Sequence, residues 1–228
     1  EGHRDGRILG YLHMPKNTAK PFQCIYFRPG SDFYLSRKAD DYVDWMLSPH
    51  IRAGRAVFTL VPIGAMERKI PLDQGYPTRE SVAWRDIRVR RTVEYSIGLD
   101  YLEQRGDIDM NKIGLVTFSG PMISAAIEKR YRSVLYIGGG IFKGDASKEK
   151  PEVFVMNYVS RMQTPALMIN GRHDEAMAHR MVVKPLFDLL PEPKRQVWID
   201  GGHMPSMQQR VPLINDWLDE TLGPVERQ

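Results

Sequence analysis

Ser119 directly follows the apolar run at residues 113–118 and is followed by Gly120, Pro121 and a helix-forming stretch at 122–129. A serine at so tight a strand–turn–helix junction is raised above the strand end with its hydroxyl at a helix start, where a nucleophile can act. Two further polar residues hold comparable places. Asp174 ends the loop 171–174 that follows the run 166–169, and His203 follows the run 196–199 through Asp200, Gly201 and Gly202. A serine, a carboxylate and an imidazole, in that order and each past its own strand, are the parts needed for acyl transfer. Singly, each has an ordinary reading too: Ser119 as a helix N-cap, Asp174 as a turn former, His203 as a loop histidine. The chemical reading rests on the three occurring together in one order.

The spacing around the serine is less regular. Crowding at such a turn favours small residues two before and two after it, as in G-x-S-x-G, and here those places hold Thr117 and Pro121. Glu175 stands next to Asp174 as the fallback acid. His173 and His179 offer imidazoles, but the sequence has no i, i+4 histidine pair and no third ligand set beside them, so a metal-free site is expected.

The elements that must carry these residues are legible from period and punctuation. Strands are expected at 8–14, 22–27, 56–61, 113–118, 134–137, 166–169 and 196–199, and helices at 39–47, 81–104, 122–129, 182–190 and 211–222. Alternation of this kind implies one largely parallel sheet covered on both faces, in a single domain over residues 1–228. The helix at 81–104 has Val82, Val89, Val93, Ile97 and Leu102 as its apolar positions, and its arginine-rich segment 85–91 reads as a solvated face. Trp84, Trp198 and Trp217 fit core faces. Residues 138–164 lack clean periodicity and are expected to form a lid or active-site loop.

Composition narrows the function classes. With 42% hydrophobic and 26% charged residues the chain is ordinary globular material, and its net charge of +4 is spread without a basic footprint for nucleic acid. No apolar window is long enough for a membrane span and no signal peptide is evident, so a cytoplasmic protein is expected. One cysteine, Cys24, makes neither an internal disulfide nor a thiolate metal site. A first residue other than Met fits a processed chain or a piece of a longer one.

Over residues 8–224 the chain resembles α/β-hydrolases of the dienelactone hydrolase, acetyl xylan esterase and prolyl-oligopeptidase-like group. The stretch SIGLDYLEQRGDIDMNKIGLVTFSG at 96–120 is similar to that group's helix, D-I-D turn and elbow strand. MINGRHDEAMA around Asp174 and WIDGGHMP around His203 are similar to its acid and histidine loops. RAGRAVFTLVPIGAMER at 52–68 is most similar to the hydrolase module C-terminal to some bacterial serine/threonine protein kinases, which implies an upstream kinase domain in the full-length chain. YFRPGSDF at 26–33 departs from the His-Gly-Gly of many relatives.

The resemblance implies an α/β-hydrolase fold with a mostly parallel central sheet, helices on both faces and no large cap domain. It also implies a cofactor-free serine esterase acting on a small-molecule carboxylic ester. Ser119 would attack the acyl carbonyl, His203 would act as base and then acid, and Asp174 would hold the imidazole. The backbone N–H groups of Gly120 and Ser31 would form the oxyanion hole, and Phe33, Phe142 and Tyr158 would line the acyl pocket. A small-peptide hydrolase is a variant of this reading. The alternative class is a non-catalytic ligand-sensing or interaction module on the same fold, which Thr117 and Pro121 favour.

Overall fold

The computed structural model describes residues 6–30, 46–68, 77–118, 120–141, 148–176 and 179–226. Seven strands form one sheet: β1 (Leu9–His13), β2 (Phe22–Arg28), β3 (Ala56–Val61), β4 (Ile108–Phe118), β5 (Ser133–Ile137), β6 (Ala166–Gly171) and β7 (Lys194–Ile199), in the order β1-β3-β2-β4-β5-β6-β7. Only β1 runs antiparallel, against β3. All residues of β3, β5 and β6 are buried, because parallel strands roofed on both faces present no side to water.

Among the described residues six α-helices accompany the sheet: α1 (Ser48–Arg52), α2 (Val82–Arg105), α3 (Ile123–Ile127), α4 (Met156–Val159), α5 (Lys184–Leu189) and α6 (Met207–Leu222). Side chains of α2 to α5 share one apolar cluster with Cys24, Tyr26, Leu115 and Tyr136 of the strands. On the opposite face Ile214, Trp217 and Leu218 of α6 pack on Ile25, Phe27, Val116 and Leu135. The expected alternation of strands and helices is therefore present. The helix expected at 39–47 lies mostly outside the described residues, and α1 begins just after it. No helix among the described residues is long and apolar enough to cross a membrane.

Helix α2 corrects the sequence reading. Of its five apolar positions only Leu102 is buried; Val82, Val89, Val93 and Ile97 are 51%, 46%, 52% and 44% exposed. The buried face is Glu94, Tyr95, Gly98, Leu99 and Leu102. Two contacts set this rotation. Glu94 is drawn inward by Arg68, which donates to both of its carboxylate oxygens at 2.9 and 2.6 Å. Gly98 lies over the Tyr26 hydroxyl, which itself donates to the Tyr95 carbonyl at 3.2 Å. The arginine-rich segment is likewise not a purely solvated face, since Arg91 donates from Nε and Nη2 to the Ile63 carbonyl. Trp217 is buried as expected, whereas Trp84 and Trp198 are half-buried, with Trp84 donating to Glu149 at 3.1 Å.

The Gly98 contact yields a test in which two effects oppose each other. Alanine is a better helix former than glycine by about 1 kcal/mol. A Cβ at position 98, however, would collide with the Tyr26 hydroxyl and crowd Phe58 and Leu60. Overpacking should win, so Gly98→Ala is expected to cost about 2–3 kcal/mol in urea unfolding. An unchanged or raised midpoint would show that α2 does not seat on the sheet through this residue.

Candidate active site

The loops after β6 and β7 are brought together by pairing that continues past the strand ends. Arg172 donates its backbone N–H to Ile199 at 2.8 Å, and His173 donates to Gly201 at 3.0 Å. Asp174 is thereby turned inward with its side chain 1% exposed, and His203 Nδ1 lies 2.7 Å from Asp174 Oδ2. The other carboxylate oxygen, Oδ1, accepts the Ala176 backbone N–H at 2.9 Å. A carboxylate can only accept, so Nδ1 is the donor of this hydrogen bond and Nε2 is not engaged by it. The ring keeps access to solvent, at 37% exposure.

Glycines make the approach feasible. A Cβ on Gly171 would run into the carbonyl oxygens of Gly201 and Gly202. Gly138, at φ +58°, ends β5 beneath the histidine, and a Cβ there would fall 2.8 Å from the His203 carbonyl and 3.2 Å from its ring. Asn170, fully buried, ties β6 to the same turn by donating to the Gly139 carbonyl at 2.9 Å. In β4, Phe118 pairs with Ile137, the residue before Gly138, so the imidazole lies beside the C-terminal end of β4.

The other sequence candidates divide plainly. Ser119 follows β4 in the chain but lies outside the described residues, as do Ser31, Phe33 and Phe142. Gly120 is buried. Tyr158 sits on α4, half-buried against the α2–α5 cluster, with its hydroxyl donating to the Glu152 carbonyl at 2.7 Å. Glu175 is exposed. His173 Nε2 lies 2.7 Å from Asp200, and His179 packs edge-on against Trp198 at 4.8 Å. Cys24 is fully buried on β2, where burial pushes its thiol up to about 12 and away from nucleophilic use at neutral pH.

Two arginines escaped the sequence reading. Arg28, the last residue of β2, donates from Nη1 to the Phe118 carbonyl at 2.7 Å and to Thr117 Oγ1 at 3.3 Å, so it grips the end of β4. Arg210 is 3% exposed, donates to the Pro205 carbonyl at 2.6 Å and lies 5.2 Å from the Phe118 ring centroid. It fastens the loop carrying His203 to the same strand end, and burial lowers its guanidinium below the usual arginine range. The one available signal was positional: Arg210 occupies the apolar face that continues through Ile214, Trp217 and Leu218.

Gly171→Ala is expected to push the β7 loop away and abolish the low-field proton signal of the Asp174–His203 hydrogen bond, with the far-ultraviolet dichroism retained. Persistence of that signal in the variant would mean that the loops do not depend on the glycine.

No family model matches the chain, and no curated protein matches it. Solved structures do. The 2,6-dihydroxy-pseudo-oxynicotine hydrolase superposes with TM-score 0.68 at 20% identity, covering 94% of this chain and 64% of that one, so this chain spans under two thirds of its length. An acetyl xylan esterase from Paenibacillus sp. R4 gives TM-score 0.69 at 16% identity, covering 94% and 80%. Est1E from Butyrivibrio proteoclasticus, solved with ferulic acid, gives TM-score 0.64 at 14% identity, covering 93% of each chain. Together with the seven-stranded sheet, these likenesses identify the architecture as the α/β-hydrolase fold.

Proposed function

We propose that the protein is a serine hydrolase that cleaves small carboxylic esters through Ser119, His203 and Asp174. The observation that carries this reading is the 2.7 Å contact between His203 Nδ1 and the buried Asp174 carboxylate, beside the end of the strand that Ser119 follows. A buried, doubly engaged carboxylate next to a half-exposed imidazole is the base half of a triad and has little value as a surface ion pair.

In the proposed reaction His203 Nε2 takes the Ser119 hydroxyl proton as Oγ attacks the acyl carbonyl. The backbone N–H groups of Gly120 and Ser31 receive the developing oxyanion, and the imidazolium, steadied by Asp174, returns the proton to the leaving alcohol. Water then repeats the sequence on the acyl-enzyme. Arg28 and Arg210 act as positioning residues, since both fix the Phe118 end of β4. Phe33, Phe142 and Tyr158 would cover a short acyl chain beneath the segment 138–164, which is too short to fold as an independent cap.

Labelling with a fluorophosphonate probe tests the proposal directly: a stoichiometric adduct on Ser119 is expected, lost in Ser119→Ala together with p-nitrophenyl acetate hydrolysis. Unchanged turnover in Ser119→Ala, or inhibition by chelators, would refute it. Asp174→Asn should lower kcat on the order of 10³-fold or more, because the imidazole loses its tautomer and its charge partner. Glu175→Gln, at an exposed position, should change it little; equal losses would place the acid elsewhere.

Acyl length supplies a separate check. Acetate and butyrate esters should be cleaved faster than esters of roughly twelve acyl carbons, because a short segment over the site offers no extended apolar groove. The reverse order would overturn the assignment of 138–164 as a small lid.

A further inference from the structure

Among the described residues, the apolar row that α2 turns outward is left largely uncovered. Val89, Val93, Ile97 and Tyr101 recur every four residues, each about half exposed, and Val82 extends the row toward the helix start. Five of the nine large apolar side chains exposed among the described residues stand on this helix. Single exposed apolar residues are ordinary, but a row of four over roughly 18 Å of helix, at a rise of 1.5 Å per residue, is not. Residues four apart form the ridge with which a helix packs into the groove of another. Three of the four ridge residues are β-branched, with χ1 already restricted in a helix, so covering them loses little side-chain entropy.

We propose that this ridge is a self-association surface, through which two copies of the chain pair with their α2 helices antiparallel about a twofold axis midway between Val93 and Ile97. The charge distribution selects a second copy as the occupant. On the side of α2 that carries the ridge, Arg85 and Arg90 stand with Asp86 toward the N-terminus, and Asp100 and Glu103 stand with Arg105 toward the C-terminus, while Arg88 and Arg91 turn inward beside Arg28 and Arg90 also holds Glu94 at 3.2 Å. Antiparallel pairing apposes unlike halves, whereas parallel pairing apposes like ones. With the axis so placed, Val93 meets Ile97 of the other copy, Val89 meets Tyr101, and Arg90 stands level with Asp100. Asp100 and Glu103 remain 53% and 61% exposed while paired with Arg130, so they can face a second cation without being stranded. Tyr101, with its ring leaning on Phe58 and its hydroxyl accepting from Arg105, places an aromatic at each end of the contact. Pairing here leaves Asp174 and His203 clear, because α2 seats on β2 and β3 and those residues follow β6 and β7 at the other end of the sheet.

Sedimentation equilibrium of the chain across the micromolar range tests the proposal. A reversible monomer–dimer equilibrium is expected. Val93→Glu, which sets a carboxylate against the opposing ridge near the axis, should weaken it by about a hundredfold or more, with a melting temperature equal to that of wild type at dilutions where wild type is monomeric. Cross-linking keeps the proposal testable should that variant fail to fold. Mixed Val93→Cys and Ile97→Cys chains should form a disulfide dimer under mild oxidation, and Val82→Cys chains alone should not. A wild-type chain that stays monomeric throughout, a dimer indifferent to Val93→Glu, or cross-linking of Val82→Cys to itself would each overturn it.

Discussion

The approach of two loops at Gly171 is the constraint on which the candidate site depends. β6 and β7 pair in register as far as Gly171 and Ile199, and the backbone bonds of Arg172 and His173 carry that pairing into the loops. Continued pairing brings the chain after β7 across the end of β6 so closely that the Gly201 and Gly202 carbonyls occupy the space a Cβ on residue 171 would need. That closeness turns Asp174 inward and sets the His203 ring over Gly138. A side chain at 171 would act on the chemistry without touching it, by separating two groups that must sit within 2.7 Å.

Elsewhere the protein repeatedly uses arginine to tie one chain segment to another. Arg68 holds Glu94, Arg210 holds the Pro205 carbonyl against Phe118, Arg28 holds the Phe118 carbonyl, and buried Arg55 joins Gln23 on β2 to Asp219 on α6. Such buried charges add little net stability, since desolvation offsets most of the attraction. Their contribution is geometric. A guanidinium presents several donors in one rigid plane, so each arginine sets the relative position of two chain segments that apolar packing alone would leave free to slide. Two of them converge on the last residue of β4, the one that precedes Ser119.

The same use of charge explains why α2 faces the way it does. An apolar ridge would ordinarily turn to the sheet, gaining about 25 cal/mol for each Å² of apolar area removed from water. Here the Arg68–Glu94 pair and the narrow contact at Gly98 hold the helix in the rotation that leaves the ridge outside. Rotating the ridge inward would expose neither group cleanly: it would strip Arg68 of its carboxylate and drive β-branched side chains against Tyr26. A surface that the fold passes over in this way is available for association.

By itself the sequence determined the strands, their order along the chain and the residues that stand just past them. Short apolar runs stopped by glycine, proline and polar residues are local signals, and local signals survive without knowledge of the partner. All seven strands overlap the runs, although β4 starts five residues early, at Ile108, within the stretch read as a turn, and Asp174 and His203 are found in the two loops assigned to them. Only the tertiary structure decided which face of α2 is buried, why residue 171 must be glycine, and what Arg28 and Arg210 hold. Those outcomes depend on contacts between segments tens of residues apart, such as Arg68 with Glu94 or Gly171 with Gly202. Periodicity reports the apolar side of a helix but not the single buried ion pair that turns it, because the free energy of that pair exists only once both segments have met.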